Sequence, residues 1–514
     1  MSKTIIIIGA GLAGLSAALQ AAENGCNVKL VSSLPSERAQ SVMAEGGINA
    51  ALNTKDENDS PEEHFTDTIK AACGLADPNA VWGMTQAAPE LVHWLLKLGV
   101  KFNMSGHDDV DLRNFGGQKK KRTAFAQSDT GKQIMTAMID AVRRKEASGM
   151  VERFSHHSFL TLRLCGNICC GCVIRDEYSQ ETVELPGDAV IVATGGMHGL
   201  FGNTTGSLSN TGEVTAELFR LGVPLANGEM IQYHPTTVKC GGKRMLISEA
   251  ARGEGGRLFA TKDGKQWYFM EEKYPELGNL MPRDITAREI WNVSHESEVF
   301  LDMTEISKEI ISNKLSGLAD DCMTYLHKDI RKEPVSVLPG IHYFMGGILV
   351  DEQHRTPIQN LCAAGECCAQ YHGANRLGGN SLLGALYGGR VAAKSACEQA
   401  DVVDLSCATQ IDFPPASQIS EIKQLNKVMQ ETMGVVRNKN TLLNGIQTVQ
   451  ALTGNLPLLG MAVLKSALAR KESRGAHWRE DYPKSNDDDY LKTTVARFDG
   501  KQIQISFVPV PERR

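Results

Sequence analysis

Residues 4–33, TIIIIGAGLAGLSAALQAAENGCNVKLVSS, decide the fold class. An apolar run at Thr4–Ile8 suits a buried parallel strand. The turn GAGLAG follows, then a helical pattern that ends at Gly25 and a second strand that ends at Ser32 and Ser33. Strand, glycine-rich turn, helix and strand in this order form the dinucleotide-binding fingerprint in the context that confirms it. The stretch therefore predicts an α/β domain with a Rossmann-like sheet and a bound dinucleotide.

The end of the second strand favours FAD over NAD. NAD-binding chains usually place an acidic residue there to hold the ribose, and this chain has two serines. Two further segments suit a flavin. QSVMAEGGINAA, at residues 40–51, contains adjacent glycines that allow close backbone approach to a flat ring. DAVIVATGG, at residues 188–196, reads as another buried strand that ends in Thr-Gly-Gly.

The stretch YHGANRLGGNSL, at residues 371–382, is predicted to lie at the centre of the site. Its glycine-rich turn leads into a helix that opens near Asn380 and Ser381. A helix N-terminus offers N–H groups and a positive dipole end to an electron-rich cofactor edge. Arg376, in the same turn, offers a planar fork to a carboxylate. Taken alone, the stretch could equally be an ordinary loop with a solvated arginine.

Composition limits the classes of function. A chain of 514 residues with 42% hydrophobic and 22% charged residues predicts a globular protein of several domains. A formal net charge of −6 argues against a nucleic-acid partner. No apolar run reaches the length of a membrane span, and the N-terminus enters a strand at once, so we expect no membrane insertion and no signal peptide.

The cysteines predict neither a disulfide framework nor a metal site. Thirteen cysteines lie mostly in strand-like contexts, which favours a cytosolic protein with reduced thiols. Four of them fall between residues 165 and 172, just after His156 and His157, but their order matches no usual arrangement of metal ligands. We therefore expect no bound metal.

Motifs along nearly the whole chain resemble a known family, the flavoprotein subunits of fumarate reductase and succinate dehydrogenase, with L-aspartate oxidase as a close relative. The motifs that carry the resemblance are GAGLAG, MAEGGINAAL, FGGQKKKRTAFAQSDTG, ATGG, IQYHPT, ISEAARGEGG, MPRDI, HYFMGG, AAGE, HGANRLGGNSLLGAL and RKESRGAHWREDYP.

The resemblance implies three domains. A Rossmann-like FAD-binding domain of the glutathione-reductase type would occupy residues 1–222 and 339–406. An α+β capping domain would interrupt it at residues 223–338, and a helical C-terminal domain would follow at residues 407–514. Amphipathic patterns after the break PPAS support the helices, and KQIQISFVPV reads as a closing strand.

The resemblance also assigns the chemistry. Arg283 is expected to donate a proton to the substrate carbon, with Glu249 and Arg252 as the relay behind it. An arginine acid requires burial and a neighbouring cation, because its free pKa lies far above neutrality. The residues expected to grip the two carboxylates of fumarate or succinate are His234, Ser248, His342 and Arg376.

The expected FAD-binding residues come from seven parts of the chain. They are Gly9, Ala10, Gly11, Ala13, Gly14, Ser32, Ser33, Ser41, Ala44, Glu45, Gly46, Gly47, Ala193, Thr194, Gly195, Gly196, Glu213, Glu366, Arg376, Ser381 and Leu382.

Two departures from the family pattern refine the expectation. Many members carry a histidine that bonds covalently to the flavin, and the matching position here is Gln40, so FAD should be bound non-covalently. Loss of that bond is expected to lower the flavin potential and to favour fumarate reduction. L-aspartate oxidases carry a glutamate where this chain has Phe115, and a buried ammonium without a carboxylate partner is costly. Phe115 therefore favours an amine-free dicarboxylate.

We thus predict an FAD-dependent reductase of fumarate to succinate. The alternatives are L-aspartate oxidase, a reductase of a related enoate, and a non-catalytic electron shuttle. Cys407 is the only cysteine after Cys397 and no haem motif occurs, so FAD should be the single electron carrier. We expect an iron–sulfur subunit as the electron-transfer partner, and a cytoplasmic location, at the membrane face only through partner subunits.

Overall fold

A computed structural model describes residues 2–106, 109–399, 413 and 418–514. Cys407, the predicted start of the C-terminal domain, and the PPAS break at residues 414–417 lie outside these residues.

The strands are numbered in chain order. They are β1 (Thr4–Ile8), β2 (Asn27–Ser32), β3 (Ile48–Asn49), β4 (Leu112–Arg113), β5 (Thr123–Ala124), β6 (Val151–Ser155), β7 (His157–Cys165), β8 (Ile168–Asp176), β9 (Thr182–Pro186), β10 (Ala189–Val192), β11 (Leu225–Ala226), β12 (Ile231–Cys240), β13 (Lys243–Leu246), β14 (Arg257–Lys262), β15 (Lys265–Trp267), β16 (Val299–Asp302), β17 (Val335–Ser336), β18 (Leu338–Phe344), β19 (Gly347–Leu349), β20 (Leu361–Ala363), β21 (Cys368–Ala369), β22 (Lys492–Phe498) and β23 (Ile503–Pro509).

The helices are numbered in the same way. They are α1 (Leu12–Glu23), α2 (Pro61–Ala71), α3 (Pro78–Lys97), α4 (Thr130–Ala147), α5 (Glu213–Arg220), α6 (Glu249–Gly253), α7 (Phe269–Lys273), α8 (Arg283–Val293), α9 (Lys308–Lys314), α10 (Ser316–Asp321), α11 (Asn380–Gln399), α12 (Ile419–Thr432), α13 (Lys439–Val449), α14 (Asn455–Ala469) and α15 (Asp487–Tyr490).

A five-stranded parallel sheet in the order β20-β10-β1-β2-β6 forms the centre of the flavin domain. Its central strand β1 is almost entirely buried, as its unbroken isoleucine run predicts. Helices α1 and α11 pack together against this sheet, and the hydroxyl of Ser16 in α1 donates to the carbonyl of Leu386 in α11 at 2.7 Å. The carboxyl ends of the parallel strands meet at one edge, where ligands of such sheets bind.

The part of the chain predicted as the cap contains an antiparallel sheet, β15-β14-β16-β17, with its own apolar cluster. Strand β12 pairs with both β13 and β18, so the predicted return of the chain at HYFMGG is an antiparallel strand partner of QYHPT. The domain limits at Val223 and Leu338 stay a prediction.

The C-terminal part is more than a helical bundle. Helices α12, α13 and α14 share an apolar cluster, as the amphipathic patterns predict. Strands β22 and β23, however, form a hairpin that extends the sheet β21-β19-β11-β22-β23. The description of this domain as helical is therefore incomplete, because β22 pairs with β11 from far upstream in the chain.

The cysteines largely match the expectation of reduced thiols. Eleven described cysteines are free, most of them buried in strands or helices. Cys165 is disulfide-bonded, so the expectation is wrong at that position. Spacing along the sequence did not reveal the bond, because disulfide pairing depends on which segments the fold brings together.

Candidate active site

A cavity of about 570 Å³ runs along the carboxyl edge of the parallel sheet and beneath the cap segment. Nearly all predicted site residues line it. The exceptions are Gly14, Gly196 and Arg252. Gly14 instead packs against Gly9, and a Cβ on Gly14 would lie 1.8 Å from the Gly9 carbonyl oxygen. Gly196 packs against Phe344 and Glu366. These two glycines therefore allow close packing behind the cavity wall.

The first turn of the flavin domain fits a dinucleotide. Gly9 has φ +110°, and a Cβ there would meet the Ala193 carbonyl oxygen at 2.3 Å, so both backbone shape and space require glycine. Helix α1 begins after Gly11, which has no side chain to cap it, and the Leu12 N–H donates to Ser41 Oγ at 3.2 Å, so the positive end of the helix lies at the cavity. The buried hydroxyl of Ser32 has no hydrogen-bond partner among the described residues. These features suit the phosphates and sugar of FAD.

Glu45 is the unusual group of the second flavin segment. The residue is half-buried, but its Oε2 atom is enclosed and makes no hydrogen bond to any described residue. Burial raises the pKa of Glu45 from 4.5 to about 8; Asp321 and Asp129 add to the shift, and Arg113 opposes it. The carboxyl is therefore mostly protonated at neutral pH.

We predict that Glu45→Gln stabilises the protein at alkaline pH and changes little below pH 5. Between pH 4.5 and about 8 only the unfolded chain releases this proton, so wild-type stability falls as pH rises, by roughly 2–5 kcal/mol in total. Apparent Tm should be compared for variant and wild type at pH 6 and pH 9. Exposed Glu305→Gln serves as the control. An equal Tm difference at both pH values would contradict the prediction.

Arg283, Glu249 and Arg252 form a buried ionic chain. Arg283, the first residue of α8, donates to Glu249 Oε2 from Nε at 2.8 Å and from Nη2 at 2.6 Å. Arg252 Nη2 lies 3.5 Å from Glu249 Oε1, one turn along α6. The Arg252 side chain is fully buried and its Nη1 donates to the Asn279 carbonyl at 2.6 Å. The carboxylate thus bridges a guanidinium in the cavity wall and one behind it.

The charges of these three side chains result from opposing effects of burial and of their charged neighbours. Burial opposes ionisation of Glu249, but Arg283, Arg252 and a hydrogen bond from Gly116 N–H lower its pKa. Burial and the positive charge of Arg283 lower the pKa of Arg252, against the opposing effect of Glu249. Glu249 is therefore held as a carboxylate between two guanidinium groups.

Arg376 is a second buried cation at the cavity. Burial, followed by repulsion from Arg283, lowers its pKa to about 9, so it remains charged at neutral pH. Its guanidinium carbon lies 4.3 Å from the centre of the Tyr343 ring, and its Nε has no hydrogen-bond partner in the part of the chain that the structure describes. A buried guanidinium with an unpartnered donor is suited to an anionic ligand.

The two histidines contribute hydrogen bonds rather than charge. The His234 and His342 rings meet edge to face at 5.1 Å. Burial and the nearby Arg283 lower the pKa of both imidazoles well below 6.5, so both are neutral at pH 7. Ser248 caps α6 through a 3.4 Å contact from Ala250 N–H, and it also lines the cavity. Positive charge for a dianion therefore comes from the arginines.

Sequence reasoning missed two residues of this site. Gln232 donates from Nε2 to the Arg376 carbonyl at 2.8 Å and accepts from Arg283 Nη1 at 3.2 Å, so it joins the two arginines. Thr205 lies 2.8 Å from His342 Nδ1. Gln232 stands two positions before His234 on β12, which was the available signal. Thr205 lies far from His342 in sequence and gave none.

Phe115 forms an apolar part of the wall. It is 2% exposed and packs against Gly46 and Gly378, where a Cβ would lie 2.7 and 3.0 Å from the ring. The position offers no carboxylate to an ammonium group.

The chain matches known proteins over nearly its whole length. Residues 4–382 match the family described as FAD binding domain, and residues 452–513 match fumarate reductase flavoprotein C-term. The succinate dehydrogenase flavoprotein subunit of Bacillus subtilis is 38% identical, with 100% of this chain and 98% of that protein covered. The 8-methylmenaquinol:fumarate reductase flavoprotein subunit of Wolinella succinogenes is 32% identical, with 100% and 92% covered.

A solved structure supports the same conclusion. FrdA of E. coli quinol fumarate reductase superposes with a TM-score of 0.90 at 27% identity, over 99% of this chain and 97% of that one. Fold, cavity and matches together define an FAD-dependent oxidoreductase. The chain belongs to the family of succinate dehydrogenase and fumarate reductase flavoprotein subunits, which confirms the resemblance found in the sequence.

Proposed function

We propose that this chain reduces fumarate to succinate, with Arg283 as the proton donor. The observation that carries the proposal is the buried arrangement of Arg283 and Arg376 on one cavity, with Glu249 behind Arg283. A dicarboxylate needs charge at one end and donors at the other, and a proton donor needs a route for refilling.

Each of the proposed site residues has one role in the reaction. Reduced FAD, when bound, would supply the hydride and become oxidised FAD. Arg376 binds one substrate carboxylate by charge, while the neutral His234 and His342 and the Ser248 hydroxyl hydrogen-bond the substrate. Arg283 releases a proton from its guanidinium to the substrate carbon, and Glu249 then passes a proton from Arg252 to Arg283. Arg252 regains its proton from solvent, so each turnover consumes one solvent proton. The burial of all three relay groups excludes bulk water from the transfer.

Gln40 supports reduction as the physiological direction. Its Oε1 accepts from Ser207 N–H at 2.6 Å, and the side chain lines the cavity. A carboxamide does not form the flavin bond that a histidine forms, and we expect a lower flavin potential without that bond. Succinate oxidation is the second candidate, favoured by the 38% identity to a succinate dehydrogenase subunit.

We predict that denaturation releases all of the FAD. Since Gln40 occupies the position of the bonding histidine, acid precipitation should leave the flavin in the supernatant. The measurement is the absorbance of supernatant and pellet, together with in-gel fluorescence. A fluorescent flavin band at the mass of the chain in a denaturing gel would show covalent attachment and contradict the prediction.

The proposed function is tested with purified, FAD-loaded protein. Oxidation of reduced viologen should depend on fumarate and should exceed the rate with other enoates and the rate of succinate-driven dye reduction. Faster turnover of succinate than of fumarate would contradict reduction as the physiological direction. Faster turnover of another enoate would contradict fumarate as the substrate. L-aspartate should be inactive, because Phe115 offers no partner to its ammonium group.

We further propose an iron–sulfur protein as the electron-transfer partner, as in a multisubunit reductase located at the cytoplasmic face of the membrane. The relatives are named as flavoprotein subunits, which supports a partner. In the described part of the chain, no helix is long and apolar enough to cross a bilayer. Co-purification of the native chain with an iron–sulfur protein would test this.

A further inference from the structure

The turn that carries Arg376 is held from behind by two buried amides, Asn49 and Gln118, which we call the amide clamp. Asn49 ends strand β3 and is fully buried, and Gln118 is 4% exposed in the loop after Phe115. Both donate to one acceptor, the carbonyl oxygen of Gly378, at 2.7 Å from Asn49 Nδ2 and 2.8 Å from Gln118 Nε2. Neither residue belongs to the proton relay or to the predicted ligand set.

The hydrogen bonds of Asn49 fix its orientation. Nδ2 also donates to Asn380 Oδ1 at 2.7 Å, while Oδ1 accepts from Thr123 Oγ1 at 2.6 Å and from Gln118 Nε2 at 3.1 Å. All donors and acceptors of the side chain are used, and both Nδ2 protons face acceptors. A carboxylate of the same shape would present only acceptors at this point.

The backbone strengthens the same attachment. Asn49 N–H donates to the Gly379 carbonyl at 3.1 Å, and Gly379 has φ +84°. A Cβ on Gly379 would lie 2.1 Å from Asn49 Oδ1, so the turn and the clamp residue are in close contact. Asn380, which Asn49 holds through its side chain, is the first residue of α11.

The clamped turn touches both parts of the site. A Cβ on Gly378 would lie 3.0 Å from Glu249 Oε2, so the backbone there packs on the relay carboxylate. Arg376 is the first residue of the turn, and Arg376, Gly379, Ser381 and Leu382 all line the cavity. A small displacement of the turn would therefore move a ligand-binding cation and a helix N-terminus together.

We propose that Asn49 and Gln118 are positioning residues. They fix the position of the 376–381 turn relative to the cavity, and they thereby determine both the affinity for FAD and the affinity for the dicarboxylate. The FAD part follows from the family of the chain, and the dicarboxylate part rests on the proposed function. Replacing the Asn49 amide by a carboxylate removes one of the two donors to the Gly378 carbonyl and sets an oxygen against both that carbonyl and Asn380 Oδ1, which typically changes an equilibrium by about tenfold or more. A misplacement of about 1 Å in such a turn is enough to affect turnover.

The test is Asn49→Asp in the full-length, FAD-loaded protein. The substitution keeps the shape and removes both donors. We expect the FAD dissociation constant from equilibrium dialysis to rise about tenfold or more, the midpoint potential of the bound flavin to fall, and the flavin absorbance change on titration with malonate to need about tenfold more ligand. A merely structural lesion would lower the apparent Tm without moving the potential or the malonate titration.

Ser16→Ala is the matched control, because it removes one buried hydrogen bond to Leu386 of the same helix α11 but none to the turn. It should leave the FAD and malonate dissociation constants within about twofold of wild type. If Asn49→Asp does not fold, Gln118→Met removes the second donor on Gly378 and should shift the same constants in the same direction.

The outcomes separate two failures. A folded Asn49→Asp protein, or in its place a folded Gln118→Met protein, whose FAD affinity and potential equal those of wild type would overturn the positioning role. Absence of any malonate response in wild type would refute the proposed dicarboxylate site instead, and the FAD arm would still decide the role of the amide clamp.

Discussion

Arg283→Ala is expected to lose about 10² to 10⁴ in turnover with fumarate, the usual contribution of a positioned general acid. Alanine cannot release a proton, and it also leaves the buried Glu249 carboxylate with only the Gly116 N–H and Arg252 of the partners described above, and Arg252 Nη2 lies 3.5 Å away. Arg283→Lys should recover part of the rate, because lysine carries a proton. Its point charge cannot reproduce the two hydrogen bonds to Glu249 Oε2, so it should stay well below wild type.

The measurement is steady-state viologen oxidation, normalised to bound FAD. Arg288→Ala is the matched control, because Arg288 lies on the same helix α8 but packs over Trp478, outside the cavity. It should retain turnover close to wild type. A rate for Arg283→Ala within a few-fold of wild type, with FAD retained, would refute Arg283 as the acid.

Arg376→Met is expected to weaken dicarboxylate binding by about 2–5 kcal/mol, the usual cost of removing one partner of a buried charge pair. Methionine keeps much of the apolar stem and removes the only charge of this turn. The same substitution should lower the potential of the bound flavin, because a full positive charge near the cofactor favours its electron-rich reduced form. The N-terminus of α11 favours the same form by roughly 0.3–2 kcal/mol, and the substitution leaves that contribution in place.

Two titrations separate these roles of Arg376. Dicarboxylate affinity is measured by kinetics with fumarate, and the potential by redox titration without substrate. Arg390→Met is the control, since Arg390 lies on α11 beside Glu23 and Trp94, away from the cavity. Weaker binding with an unchanged potential would make Arg376 a substrate ligand only. If neither quantity changes, the turn is not the centre of the site.

Local patterns made much of the fold predictable. The isoleucine run, the glycine turn and the period of the next segment predict β1, α1 and β2 because each feature acts over a few neighbouring residues. The predicted flavin-binding residues that follow the parallel strands were expected to lie close together, because the carboxyl ends of parallel strands share one edge of the sheet. The roles assigned to Arg283, Glu249 and Arg376 stay predictions.

The sequence by itself determined the flavin domain, the class of cofactor and the residue types of the site, since these follow from short motifs. The tertiary structure alone decided which charges survive burial: His234 and His342 are neutral beside Arg283, and Glu45 is protonated. It also revealed Gln232 between the two arginines, the amide clamp, and the pairing of β22 with β11. These features depend on desolvation and on contacts between distant segments, which no local pattern encodes.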